Sequence, residues 1–250
     1  MTTEIERAFY ASDATWDGRF VAAVRTTGIY CRPSCRVRKP LPKNVEYMAE
    51  PAAARAAGYR ACLRCHPDAG TPVTLREIRT PVGPMTIGAT DAAVVLADFT
   101  RRPMMAAQLA AVRRRIGPTR TGDSPLLDAA ERQLGEYFAG QRSSFDLVLD
   151  APGSHFQERV WAELQRIPYG ETISYGELAA RVGVPAGSRA VGRANGSNRI
   201  AIIVPCHRVI AAGGGLGGYG GGLDAKRLLL DLEASSLRRR TRPAGHHRAA

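Results

Sequence analysis

The stretch Ile200-Ala201-Ile202-Ile203-Val204-Pro205-Cys206-His207-Arg208-Val209-Ile210 decides how the chain is read. A strand-like apolar run leads into Pro-Cys-His-Arg-Val and ends on two apolar residues. Unpaired cysteine is among the most buried side chains, so a solitary Cys206 is by itself as readily inert packing as a nucleophile. His207 beside it changes the chemistry available, because a thiolate with a neighbouring base is a strong, soft nucleophile. The surrounding sequence has to separate the two readings.

Working outward, Ser154 is placed to cap a helix, with Gln157 as its capping-box partner. Phe156, Val160, Trp161, Leu164 and Ile167 form its apolar face, and Pro168 and Gly170 end it. Ile173 to Val182 reads as a second helix, Gly183-Val184-Pro185-Ala186-Gly187 as a turn, and Ser188 to about Ala194 as a third helix. Helix, glycine-containing turn, helix is the outline of a DNA-binding helix-turn-helix. Residues 213–222 are glycine-rich but lack the Lys-Ser/Thr and helix start of a phosphate-cradling loop.

Between Arg76 and Asp150 the pattern is mixed. Met85 and Ile87 alternate with small or polar neighbours and Val94-Val95-Leu96 is a short apolar run, which predicts strands. Ser124-Pro125 opens a helix carrying Leu126, Leu127, Ala130, Leu134, Tyr137 and Phe138, and Gly140 closes it. Phe145, Leu147 and Leu149 alternate as in a further strand. The expected fold class is therefore α+β. Its divisions are a small domain over residues 1–70, a strand-and-helix subdomain over 76–150, a helical subdomain over 151–236, and a disordered basic tail over 237–250.

The formal charge is +12, and of 35 basic residues only Lys39, Lys43 and Lys226 are lysines. Planar bidentate cations in excess suit a polyanion, so nucleic acid is the expected partner. No apolar run reaches the length of a membrane span, and Glu4 and Glu6 stand where a signal peptide would be basic and then apolar. A cytoplasmic protein with no membrane partner is expected. Outside secretion, five cysteines argue against a disulfide framework. Cys31-x3-Cys35 and Cys62-x2-Cys65 are two close pairs with the spacing of one tetrahedral zinc site, and an iron–sulfur cluster is the alternative. No organic cofactor is indicated. His246 and His247 read as tail residues rather than metal ligands.

Two resemblances follow from these residues. Asp17-Gly18-Arg19-Phe20, Val24 through Cys35, and Ala57-Gly58-Tyr59-Arg60 with Cys62-x-Arg64-Cys65 closely resemble the Ada-type zinc domain. In that family the first cysteine is both a metal ligand and the acceptor of a methyl group from a DNA methylphosphotriester. The resemblance gives Cys31 that role, whereas residue chemistry alone cannot choose among the four. Arg32, Arg36, Arg38, Arg60 and Arg64 cluster around these cysteines as candidate phosphate contacts, and Thr27 is a further candidate DNA contact.

Residues 76–235, densely from Phe156 onward, are similar to the O6-alkylguanine-DNA alkyltransferases. Ser174-Tyr175-Gly176-Glu177-Leu178, Ser188-Arg189-Ala190-Val191-Gly192, Asn195, Asn198, the Pro205–Val209 motif, Tyr219 and Lys226 through Glu233 carry that likeness. It implies that Cys206 is a once-used nucleophile whose pKa must be lowered. His207 is then its base through a water, Glu233 orients the imidazole, Tyr175 protonates the leaving oxygen, and Asn198 orders the turn. Pro205, Val209 and Tyr219 are assigned to the base pocket. Arg189 fills the gap left by a flipped nucleotide, and Ala190 and Gly192 allow close approach to the minor groove of double-stranded DNA. O4-alkylthymine is a further candidate substrate, and a monomer is expected. The chain lacks the AraC-type region of the best-known Ada proteins and has Gly220 where many relatives carry a side chain. The alternative functions are a methylation-responsive transcriptional regulator and a lesion sensor without catalysis, and the presence of Cys206 argues against the second.

Overall fold

The computed structural model describes residues 2–68 and 70–241. The first elements are α1 (Thr2–Ala11), β1 (Val21–Val24), β2 (Ile29–Cys31), β3 (Val45–Met48), α2 (Pro51–Ala56) and β4 (Arg60–Ala61). Then follow β5 (Val73–Thr80), β6 (Gly83–Ala89), β7 (Val94–Phe99), α3 (Met105–Arg115), β8 (Thr119–Thr121) and α4 (Pro125–Phe138). The last are α5 (His155–Gln165), β9 (Ile173–Ser174), α6 (Tyr175–Arg181), α7 (Ser188–Gly196), β10 (Val209–Ile210) and α8 (Leu223–Thr241). The α+β class is as expected. No helix among the described residues is long and apolar enough to cross a membrane.

The chain divides into two compact units, Met1–Val73 with Leu109–Arg120, and Thr74–Gln108 with Thr121–Ala250. This differs from the division at 70/76 and 150/151 read from the sequence. Backbone hydrogen bonds explain the return of residues 109–120 to the first unit. Gly70 and Thr71 N–H both donate to Ile116 O, and Val73 N–H donates to Pro118 O at 2.9 Å. Gly117 lies so close to the Thr71 backbone that no side chain fits there.

In the first unit the sheet order is β3-β1-β2-β4, with β4 parallel to β2 and the other pairs antiparallel. Strand side chains alternate between faces, so the all-apolar β1 supplies two small cores. Ala22 packs with Phe9, Phe20, Val45 and three of the cysteines, while Val21 and Ala23 pack with Tyr30 and Ala54.

In the second unit β6 lies between β5 and β7, antiparallel to both. Met85, Ile87 and Val94 of these strands share one continuous core with Leu127 and Leu134 of α4, Trp161 and Leu164 of α5, and Leu178 and Val191 of α6 and α7. The expected subdomains over 76–150 and 151–236 share this core. Both expected helix starts are built as read. Ser124 caps α4 with Pro125 at its first position, and Ser154 and Gln157 form a capping box on α5.

Four sequence expectations are corrected. The second helix begins at Tyr175 rather than Ile173, because Ser174 caps it in a capping box with Glu177 while Ile173 and Ser174 pair with Val209 and Ile210. Phe145 to Leu149 is an extended segment with a single bridge, Val94 to Leu149, not a strand. The Ile200–Val204 run is a turn, with Ile202 at φ 72°. Finally, α8 continues to Thr241, so residues 237–241 are helical rather than a tail. Leu237 sits against Gly170, which is left-handed at φ 79° and has no room for a side chain. The rest of the expected tail, His246 and His247 included, lies outside the described residues.

Candidate active site and metal centre

Cys206 is placed by a tightly sewn turn. The Asn198 side chain donates to Val204 O at 2.9 Å and Ile200 O at 3.4 Å, and its Oδ1 accepts from Ile200 N–H at 3.0 Å. Ala97 of β7 donates to Arg199 O and accepts from Ala201 N–H. Positive φ is unfavourable for a β-branched residue, so these bonds over-determine the backbone at Ile202. The Cys206 carbonyl accepts from Asn195 Nδ2 at 3.3 Å. The pairing of β10 with β9 then sets the motif beside the first residue of α6, Tyr175.

The Cys206 side chain lines a cavity of about 660 Å³. Asp98, Arg102, Tyr175, Arg189, Asn195 and Tyr219 line it too, with Gly192, Gly218 and Gly220 giving it width. Arg189 is exposed on the first turn of α7. Tyr175 packs against Gly217 and Gly192, where added Cβ atoms would lie 3.1 and 3.8 Å from its ring.

Behind the cavity, the fully buried Glu233 receives hydrogen bonds from four directions. His207 Nε2 lies 2.9 Å from Oε1, Tyr137 OH donates at 2.7 Å, Gly170 N–H at 2.8 Å, and the Arg208 guanidinium reaches both oxygens. Burial alone would raise this carboxyl, but His207 and Arg208 together hold it down to about 2. It is therefore a carboxylate and an obligate acceptor, which assigns the His207 proton to Nε2. Nδ1 is buried with no hydrogen-bond partner, leaving its lone pair as the free base. Burial lowers the His207 pKa against the pull of Glu233, so the imidazole is neutral.

Burial pushes the Cys206 thiol up to about 11, with Asn198, Arg102 and Lys226 opposing the rise and Asp98 adding to it. The lowered pKa expected from the sequence is not found: the resting group is a thiol. Tyr175 is also raised, first by burial and then by Cys206, which keeps its phenol protonated.

In the first unit the Sγ atoms of Cys31, Cys35, Cys62 and Cys65 all lie within 4.8 Å of one another, and Cys35 and Cys62 are 4.0 Å apart. Tetrahedral zinc at its usual sulfur distance would set the sulfurs about 3.8 Å apart, so the residues fit one such ion. Four thiolates this close repel unless a cation lies between them. The backbone presents the sulfurs through short turns: Ser34 N–H and Oγ both bond to Asp17, and Arg32 N–H donates to Cys65 Sγ at 3.4 Å. Cys31 and Cys62 face a groove of about 450 Å³ together with Thr27, Arg38 and Lys39.

Residues 155–235 match the family described as 6-O-methylguanine DNA methyltransferase, DNA binding domain, and residues 4–68 match the metal binding domain of Ada. A methylated-DNA–protein-cysteine methyltransferase of Mycolicibacterium paratuberculosis is 49% identical over 164 residues, 64% of this chain and 92% of the relative. The chain belongs to the methylated-DNA–protein-cysteine methyltransferase family. The crystal structure of the Mycobacterium tuberculosis O6-methylguanine methyltransferase is 43% identical, with TM-score 0.58 over 69% of this chain and 96% of that one. A second Mycobacterium tuberculosis structure, OGT in complex with DNA, is 44% identical, with TM-score 0.56 over 66% and 94%. These likenesses favour DNA repair by methyl transfer over the regulator alternative.

As a methyltransferase of this family, the protein brings Cys206, Tyr175, Arg189, Gly192 and Tyr219 to one cavity, with His207, Glu233 and Asn198 behind it. Of the remaining assigned pocket residues, Val209 is buried in β10 and Pro205 faces a different depression with Phe145 and Tyr169. Ala190 is half-buried on α7 and does not line the cavity. On the other unit Thr27 and Arg38 share the groove with Cys31, while Arg60 lies outside it and Arg32 is held by His66 O at 2.5 Å. Sequence reasoning missed Tyr137, Arg208, Asp98 and Arg102. Tyr137 looked like one more residue of an apolar helix face, Arg208 stood in the Pro205–Val209 motif without a role of its own, and Asp98 and Arg102 stood in no chemical pattern.

Proposed function

We propose that the protein repairs alkylated double-stranded DNA by two irreversible transfers, from O6-alkylguanine to Cys206 and from a methylphosphotriester to Cys31. The observation that carries the first is Cys206 in a cavity open to Tyr175 and Arg189, backed by a neutral His207 whose Nε2 proton is fixed on Glu233. His207 Nδ1 takes the thiol proton through a water, and Glu233 balances the imidazolium that forms. The sulfur attacks the alkyl carbon, the carbon–O6 bond breaks, and Tyr175 gives its proton to the leaving guanine. A thioether remains, with no route back to thiolate, so each cysteine works once. Arg189, on the exposed first turn of α7, takes the place of the nucleotide turned out of the stack, and Ala190 and Gly192 keep that helix slim against the minor groove. O4-alkylthymine presents the same alkyl–oxygen bond and is the second base substrate.

For the second transfer, the four cysteines would hold one zinc, which keeps the sulfurs anionic at neutral pH. Only Cys31 and Cys62 reach the groove, and Cys31 is the acceptor that the likeness to the Ada domain supports. Thr27, Arg38 and Arg60 position the DNA backbone there. The test is a duplex with methyl-labelled O6-methylguanine. Label should move to wild-type protein and not to Cys206→Ala; label retained by Cys206→Ala would exclude Cys206 as the acceptor.

A further inference from the structure

Arg102 lies in no motif, yet its guanidinium joins three parts of the second unit. Nη1 donates to Asp98 Oδ2 at 2.7 Å and to Asn198 O at 3.2 Å, and Nη2 donates to Gly196 O. Asp98 is fully buried at the end of β7, and its other oxygen accepts from Phe99 N–H at 2.9 Å. One planar fork thus ties β7 to the last turn of α7, where a cation suits the unpaired carbonyls. It also holds the backbone of Asn198, whose side chain holds the turn leading to Cys206. Both Asp98 and Arg102 line the Cys206 cavity. Across from them, a Cβ at Gly220 would lie 2.6 Å from Arg102 Cζ and 2.7 Å from Nε. Gly220 is not left-handed, so what requires a glycine there is the space Arg102 takes.

We propose that Arg102 is a positioning residue for Cys206, anchoring the Asn198 turn and the end of α7 to β7, and that the glycine at 220 exists to leave it that place. The pairing is chemically asymmetric. Without Arg102 the buried Asp98 carboxyl, already raised by burial, loses its ion-pair partner beside the nucleophile and keeps only Phe99 N–H and the charge of Arg199. The groups facing Cys206 are the phenols of Tyr175 and Tyr219, Asp98, Arg102 and Lys226, with His207 next along the chain. Of these, Asp98 opposes formation of the thiolate while Arg102 and Lys226 favour it. Substitution at 102 therefore disturbs both the geometry and the charge balance at the sulfur.

The inference rests on Cys206 being the acceptor. The experiment uses the full chain and follows single-turnover methyl transfer from an O6-methylguanine duplex to Cys206 as a function of pH. Arg102→Met should slow transfer on the order of tenfold or more and displace the pH profile upward by about one unit. Arg102→Lys should restore part of the rate. Asp98→Asn with Arg102→Met removes the acid charge as well, so the profile should return to its wild-type position while the rate stays low. That double variant also serves if the single one folds poorly. Gly220→Ala should slow the wild-type protein but add nothing to Arg102→Met. Wild-type rate and profile in Arg102→Met, or additive effects of the two substitutions, would overturn the proposal. Failure of the wild-type protein to take label on Cys206 would instead overturn the proposed function.

Discussion

Cys206 and Cys31 are both buried sulfurs, but their surroundings are opposite. Cys206 is the single cysteine lining its cavity, held as a thiol near 11 by burial, with a neutral histidine and a carboxylate behind it. Cys31 has three other sulfurs within 4.8 Å and no histidine among them. The first nucleophile is kept protonated until a base removes its proton, which protects it from oxidation while no lesion is bound. Under the proposed function, the second would be held anionic by a metal ion and would need no base. On the proposed function, these are two ways to keep a cysteine for a single use, one kinetic and one electrostatic.

The sharpest way to break this comparison is to remove the metal. Three of the four cysteines are core residues of the first unit, packed on Phe9 and Phe20. Chelation at neutral pH should therefore abolish phosphotriester transfer and melt the tertiary signals of that unit, since binding and folding are coupled in such domains. Methylguanine transfer to Cys206 should continue, and its loss on chelation would contradict the separation of the two chemistries. A smaller effect is expected at His207. His207→Gln should slow Cys206 alkylation by about 10²- to 10⁴-fold near neutral pH, the range typical of a lost general base. The deficit should shrink as pH rises toward 11, where the thiol ionises unaided. A deficit that stays constant with pH would mean His207 is not the base.

Glu233 gives a stability effect in a defined window. Its folded pKa near 2 lies below its ordinary value of 4.5. The stabilisation is fully present above about pH 4.5 and is lost as pH falls through about 2. Acid unfolding of the wild-type second unit should therefore steepen across that window, and Glu233→Gln should remove that component. The smallest effect is expected for Tyr137→Phe, which deletes one hydrogen bond to Glu233 while leaving the ring packed. It should cost about 1 kcal/mol in denaturant unfolding and slow Cys206 transfer only modestly.

Local chemistry was legible in the sequence wherever it is fixed by neighbours a few residues apart. The Ser154–Gln157 capping box, Pro125 at the start of α4, the helix-turn-helix outline and the paired cysteine spacing all formed as read. What could not be read depends on distant partners. The apolar Ile200–Val204 run reports burial rather than conformation, and the amide of Asn198 with the backbone of Ala97 turns it into a bend. The alternation of Phe145, Leu147 and Leu149 has a strand's period but only one bridge to hold it. The arginine-rich end of α8 looked like a solvated tail, yet Leu237 packs over Gly170 and carries the helix to Thr241. In the site itself, Cys206, His207 and Glu233 were found through their motif context. The bond from Arg208 to Glu233 joins two motif residues whose contact the sequence does not show, and those from Tyr137 to Glu233 and from Arg102 to Asp98 involve residues that are ordinary in sequence.

The most direct measurement offers the full zinc-loaded chain a duplex carrying two distinguishable methyl labels, one on guanine O6 and one on a backbone phosphotriester, and maps the labelled peptides by mass. The account predicts the guanine label on Cys206 alone and the phosphotriester label on Cys31 alone, each at one methyl per chain. Either label on the other cysteine, or on none of the five, would contradict it.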